Sequence, residues 1–437
     1  MASRTRRVLS SPFACSILLL CTSGKAGTAP DATGPVTLES AAREAVAWHP
    51  SVIEAVGRLN ARAEEVHVAR AGYYPQIGAG VGSGYDNRLS NQWRPRPQVT
   101  ASQMLYDFGK VASSVESARA GTRIGEAQVL LAIDGLIRDT AYAAIEVQRG
   151  VALHQVALDQ LASVRQVSEL VRNRYTRGAA TRSDALQAQA RVEAAEATLT
   201  QIEAAQRRWA SNLAFLLGRN APPQVMPDVP QWLASACLGG TPDWARVPAV
   251  MAAEAGRDQA SADLKRSRAE RMPTLSVEGG AAADLSSPFS DRSQYNFGLS
   301  VSSSVFSGGA LRARQRGAAF ALAAAEAAVA DARNETGQRL AEAQQQIASF
   351  SQLLDTLASR QAKMAETGRL YRLQYLEMGT RTLVDLLNAE QELHQVRFDA
   401  ANTSHDLRRL EVDCLYYSGS ARAAFGLSGT VVRGVTL

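Results

Sequence analysis

The stretch "EMGTRTLVDLLNAEQEL" occupies residues 377–393, and a paler copy of it, "TRGAATRSDALQAQARV", occupies residues 176–192. Each opens on a turn containing glycine and passes through a threonine into a strongly helical run. The spacing predicts a chain reversal at Gly178 and again at Gly379, because glycine reaches positive φ at little cost. Thr181 and Thr382 then serve as N-caps or first-turn residues of two returning helices. One turn motif used twice in one chain predicts a duplicated fold unit.

The duplication extends outward from these turns. Pro50 precedes a helical run and Pro75 follows it, and Pro248 and Pro273 do the same at equal separation. "LYDFG" at 105–109 answers to "VFSGG" at 305–309, Asp184 and Leu186 answer to Asp385 and Leu387, and Gly218 answers to Gly419. The offset stays near ~200 residues throughout. The chain therefore divides into a first repeat at 37–218, a Pro-rich, Trp-containing linker at 219–246, a second repeat at 247–419 and a C-terminal tail at 420–437.

Within each repeat the period of the pattern changes. From Pro50 to Ala71 a helical stripe carries Val52, Val56, Leu59, Ala63 and Val66. After Pro75 the period becomes two, with Ile77, Ala79 and Val81 alternating with Gly78, Gly80 and Gly82. A weaker strand pattern covers Val99 to Tyr106, and its counterpart alternates Phe297, Leu299, Val301 and Val305 with Gly298, Ser300, Ser302 and Ser304. Very long helices follow, Lys110 to Tyr175 and Leu311 to Met378, free of proline and each about 100 Å long at 1.5 Å per residue. Shorter helices return over Thr181 to Leu217 and Thr382 to Tyr417. Two short helices stacked end to end match one long helix, and sparse apolar positions such as Ile133, Ile137, Ala141 and Ile145 suit walls one helix thick.

Composition narrows the function. Apolar residues make up 46% of the chain but aromatics only 6%, which favours closely packed alanine-rich helices over an aromatic core. The net charge of +5 resides mostly in Arg4, Arg6, Arg7 and Lys25, and a nucleic-acid footprint is not expected. Those residues belong to a basic head followed by a short apolar run and small residues, the grammar of a signal peptide over 1–26. Cys21 follows a leucine, which argues against a lipid anchor. Cys237 and Cys414 remain in the exported chain, as a disulfide pair or as two buried thiols.

Catalytic chemistry finds no support. The alternating glycines fit neither a dinucleotide fingerprint nor a phosphate loop. The histidines His49, His67, His154, His394 and His405 lack metal-ligand spacing, and no nucleophile elbow occurs. No catalytic residue, cofactor or metal is expected. Four amphipathic strands, however, cannot close a barrel alone, since membrane barrels need at least about eight. Open sheet edges are not tolerated in hydrocarbon, so a membrane location would require several chains to share one barrel.

The stretches "TLESAAREAVAWHPSVIEAV", "LYDFGK", "GAATRSDALQAQ", "VFSGG" and "MGTRTLVDLLNAEQEL", in this order, resemble the TolC family of outer-membrane efflux proteins over essentially the whole exported chain. The resemblance implies a mainly α fold with a small β part. In it a duplicated strand-strand-long helical hairpin unit forms a homotrimer, with a 12-stranded outer-membrane β-barrel continued by a periplasmic α-helical barrel. "EMGTRTLVDLLNAEQELHQVRFD" and "DLRRLEVDCLYYSG" resemble the type I secretion subgroup, that of the cyclolysin exporter. This implies an inner-membrane ABC transporter and a periplasmic adaptor (membrane fusion protein) as partners, outer-membrane lipid as surroundings, and an unfolded RTX-type toxin or adhesin as cargo.

The resemblance also assigns a periplasmic gate. The family's two acidic ring positions fall on Asp385 and Asn388, one ring kept and one neutral, and its closing contacts map onto Arg381, Ser183 and Asp184. Tyr375 stands one residue out of place for the family's tyrosine. The plainer reading makes Arg381 and Asp385 an i,i+4 surface pair. Two other functions stay open: the outer-membrane factor of a drug or metal efflux pump, and a periplasmic adaptor or structural coiled-coil protein.

Overall fold

The computed structural model describes residues 34–86, 90–238, 242–283 and 294–437. The expected leader at 1–26 lies outside the described residues.

Local signals account for the helix ends. Helix α1 (Leu38–Trp48) starts with a reciprocal cap in which Thr37 Oγ1 accepts from Ser40 N–H at 3.1 Å and Ser40 Oγ accepts from Thr37 N–H at 2.8 Å. Helix α2 (Pro50–Arg70) has proline at its first position, where no N–H is needed. After the 3₁₀ turn Ala71–Tyr73 come strands β1 (Gln76–Asp86) and β2 (Ser90–Tyr106), then helix α3 (Lys110–Thr176) and helix α4 (Arg182–Leu217). The linker holds one short helix, α5 (Gln231–Ala234), and a 3₁₀ turn at Trp244–Arg246. The second repeat follows as helix α6 (Pro248–Ala269), β3 (Thr274–Ala282), β4 (Gln294–Ser302), helix α7 (Ala310–Leu373) with a π-helical turn at Gln374–Met378, and helix α8 (Leu383–Tyr417). The tail adds helix α9 (Ala421–Ala424) and a small hairpin, β5 (Val431–Val432) and β6 (Val435–Thr436).

Helix α3 packs against α2 and α4 on one flank and against α6 and α8 on the other, and α7 packs against α6 and α8. The short helices stack end to end: α4 stops at Gly218 against Trp48, just before α2 begins, and Gly419 at the end of α8 meets the Arg246 carbonyl just before α6. The result is a wall one helix thick, with α2 and α4 along one margin and α7 along the other.

The largest core lies at mid-height, where the linker and the tail close over α1 and α3. Leu38, Val46, Ile133, Ile137, Ile145, Leu213, Leu233 and Phe425 are all buried there, and Trp232 meets Phe425 edge to face at 5.1 Å. Asp134 of α3 is fully buried and its Oδ2 accepts from Arg422 Nη1 at 2.7 Å. Arg219 clamps Glu44 with two bonds of 2.7 Å, tying the end of α4 to α1. A disulfide joins Cys237 of the linker to Cys414 of α8, with Cα atoms 5.5 Å apart.

Two strand expectations need correction. The apolar alternation runs on to Val305, but β4 ends at Ser302. Its last partner is Thr274, which follows Pro273, a residue with no N–H to extend the ladder. In the other direction β2 begins at Ser90, not near Val99. Pro95 and Pro97 pair with β1 and lie beyond the ladder with β3, which among the described residues begins at Gln98, so neither needs to donate an N–H to β3.

Candidate functional site: a two-faced sheet and a capped tip

The antiparallel register β1-β2-β3-β4 sorts the strand residues into two faces. Ile77 opposes Ala101, Val99 opposes Ala281, Val277 opposes Leu299, and Gly279 opposes Phe297. This face is apolar and outwardly bare: Ile77, Val99, Leu299 and Phe297 are 75%, 50%, 71% and 85% exposed. The opposite face carries Gly78 beside Thr100, Ser102 beside Glu278, and Gly280 beside Asn296. An apolar face that nothing among the described residues covers, with a polar face behind it, suits lipid on one side and water on the other. Strands β1 and β4 are both edges. They run in opposite directions, so β4 of one copy can pair antiparallel with β1 of the next.

At the other end of the molecule, the two hairpins reverse at Gly178 and Gly379, with φ of 75° and 65°. Each returning helix carries a complete capping box. Thr181 Oγ1 accepts from Asp184 N–H at 3.1 Å while Asp184 Oδ2 accepts from Thr181 N–H at 3.0 Å. Thr382 and Asp385 repeat this at 3.2 Å in both directions, and the Thr382 hydroxyl donates to Asp385 Oδ2 at 2.9 Å. The backbone and hydroxyl bonds from Thr382 hold the Asp385 carboxyl below its ordinary range. Asn388 is exposed one turn on, on the same helix face as Asp385.

Arg381 and Asp385 do not form the plain surface pair. Arg381 turns back over its own hairpin, its Nε donating to Gln374 Oε1 at 3.2 Å and its guanidinium lying 4.4 Å from the centre of the Tyr371 ring. Within one chain it meets neither Ser183, whose hydroxyl bonds Thr181 Oγ1 at 2.7 Å, nor Asp184, which is occupied as a cap. Next to the turns, it is Arg174 that reaches from one hairpin to the other. Its Nη1 donates to the Tyr375 carbonyl at 3.0 Å, and its guanidinium stacks 4.8 Å from the Tyr375 ring. Tyr375 is buried with Val167, Val171, Ala188, Leu383, Leu386 and Leu387, and burial pushes its hydroxyl pKa up. Sequence reasoning passed over Arg174, although its place in the last turn of α3, opposite a tyrosine in the duplicated position, carried the signal.

Between the tip and mid-height, polar contacts line the seam between the repeats. Ser163 Oγ donates to Glu390 at 2.7 Å, Arg372 reaches the same carboxylate at 2.8 Å, Arg397 pairs with Asp159, Arg149 with Asp406, and Arg409 Nη1 donates to Glu146 at 3.2 Å. Burial keeps the nearby His394 and His405 below the ordinary histidine pKa. Glu411 is pushed up to about 7 by burial, opposed by Arg408. Among the described residues no cluster of His, Cys, Asp and Glu could hold a metal ion, and no helix is long and apolar enough to cross a membrane.

Comparison with known proteins agrees with this geometry. The model of the family described as "Outer membrane efflux protein" matches residues 41–219 and 244–413. Protein CyaE of Bordetella pertussis is 27% identical over 321 residues, covering 68% of this chain and 66% of CyaE, just under two thirds of its length. Outer membrane efflux protein BepC of Brucella suis is 23% identical over 364 residues, covering 79% of this chain and 76% of BepC. The crystal structure of the outer membrane protein VceC from Vibrio cholerae superposes with a TM-score of 0.77 at 18% identity, covering 87% of this chain and 96% of VceC, which shows a shared fold. The adaptor reading falls away, since the family match and the shared fold place the chain in the outer membrane, extending into the periplasm. With both repeats matched, the chain belongs to the outer membrane efflux protein family.

Proposed function

We propose that three copies of the chain form one continuous duct and that it exports unfolded polypeptide as the outer-membrane component of a type I secretion system. The observation that carries the duct is the sheet with one bare apolar face, one polar face and two unpaired edges. Three four-stranded sheets make a barrel of twelve strands, and the margin formed by α2 and α4 then covers the bare flank of α7 in the next copy. An inner-membrane ABC transporter and a periplasmic adaptor feed the hairpin end. The turn motif at 377–393 and the similarity to CyaE support polypeptide as cargo.

The hairpin tip is the proposed gate. Asp385 and Asn388 would face the constriction, one charged ring and one neutral, and Ser183, Asp184 and Arg381 lie close enough to the tip to meet a neighbouring copy. Arg174 on Tyr375 keeps each pair of hairpins together. The similarity to BepC favours a second reading, drug or metal efflux.

Deletion in the native host, with complementation, separates the two. The account expects loss of a large polypeptide from the culture fluid with unchanged drug and metal tolerance. Unchanged secretion with a sharp fall in tolerance would favour the efflux pump.

A further inference from the structure

Directly beneath the apolar face of the sheet, the end of α2, the 3₁₀ turn and the start of α3 border an open surface cavity of about 270 Å³. It is lined by Arg70, Tyr73, Tyr74, Ala112, Val115 and Arg119. Among the described residues neither arginine forms an ion pair, because the acids nearby are engaged elsewhere. Glu116 takes Lys265 Nζ at 2.9 Å, and Asp107 accepts from the N–H groups of Gly109 and Val111 at 2.9 and 2.6 Å. Tyr73 and Tyr74 are 45% and 68% exposed.

Depth and side are both fixed by the chain. Tyr74 is followed by Pro75 and then by β1, so the cavity lies at the level where the apolar band ends. Gln103, on the same face as Val99, Ala101, Val277 and Leu299, donates to the Tyr73 carbonyl at 2.9 Å. The cavity therefore adjoins the lipid-facing side of the sheet. Guanidinium forks suit phosphate oxygens, tyrosines favour the headgroup level, and the exposed Ile77 and Val81 continue the path upward as an apolar track for an acyl chain.

We infer that this cavity binds the phosphate of a membrane phospholipid at the periplasmic rim of the barrel, one lipid to each chain. The inference rests on the membrane placement of the sheet. The assembled protein, reconstituted in nanodiscs of phosphatidylglycerol and phosphatidylcholine and then moved to lipid-free detergent, is weighed by native mass spectrometry. The wild type should keep about one phospholipid per chain, the Arg70→Gln/Arg119→Gln pair should lose it by roughly tenfold, and the Arg70→Lys/Arg119→Lys pair should keep most of it. Equal retention in the glutamine pair, or none in the wild type, overturns the site. Displacement by inorganic phosphate alone would make it a free-anion site and overturn the lipid assignment. Conductance of the same samples in a planar bilayer separates the two claims: a channel in every sample leaves only the lipid site at stake, whereas no channel from the wild type brings down the membrane placement itself.

Discussion

Helices α3 and α7 hold equivalent places in the duplication and have similar lengths, 67 and 64 residues, yet they are buried very differently. Helix α3 is covered on both flanks and buries a residue at nearly every turn from Ser113 to Val171. Helix α7 buries only Val329, Thr336, Leu340, Ala343, Leu357 and Gly368, and leaves Phe320 74% exposed. Helix α3 also carries 20 Val, Ile and Leu residues against 10 in the Ala-richer α7, so composition and neighbours both set the difference. The interior of the wall is complete within one chain, while its α7 margin, its sheet edges and its apolar sheet face await other copies and lipid.

Variants in the complete region should act on the fold of each chain. Arg422→Ala leaves Asp134 buried without its partner and should cost about 3–5 kcal/mol, read as a lower midpoint in denaturant. Burial pushes the Asp134 carboxyl from 3.8 up to about 7 against the pull of Arg422, and its Oδ1 has no hydrogen-bond partner. The folded chain thus holds a proton that the unfolded chain releases between those values. Stability should fall as pH rises from about 4 to about 7 and level off beyond, with Glu411 adding to the same slope and Asp134→Asn removing its own share.

Variants at the unfinished surfaces should spare the fold of the helices and act on insertion or assembly. Leu299→Arg places a charge on the apolar face and should cost about 2–4 kcal/mol per chain on membrane insertion. Its neighbour Ser300→Arg, on the polar face, should insert normally and shift ion selectivity towards anions. Equal failure of both would break the assignment of the two faces. Phe320→Asp on the bare flank of α7 should weaken assembly by about 2 kcal/mol per interface, seen as dissociation on dilution with unchanged helical circular dichroism. The smallest effect belongs to Arg381→Ala, which removes a stacking contact worth about 0.5–1 kcal/mol with Tyr371 and should raise single-channel conductance without changing the melting midpoint.

Much of this architecture was legible because it rests on local rules. The caps at Thr181 and Thr382, the reversals at Gly178 and Gly379, and the change of period after Pro75 are each decided within a few residues. The mid-height core was not legible. Trp232 meets Phe425 and Arg422 meets Asp134 across long stretches of chain, and neither the linker nor the tail has a periodic pattern; only the Cys237–Cys414 pair was foreseen there, as one of two readings. At the tip, the cap role of Asp385 could be read from its spacing to Thr382, but the partner of Arg381 could not. A long side chain on a turn chooses among several neighbours, and Gln374 and Tyr371 are nearer than the other hairpin.

The central claim is that one chain supplies one third of a closed barrel. The most direct test is the mass of the complex extracted from outer membranes in mild detergent, measured by native mass spectrometry. Four strands per chain and a twelve-stranded barrel predict three chains in every complex. A conducting complex of one, two or four chains would contradict the account.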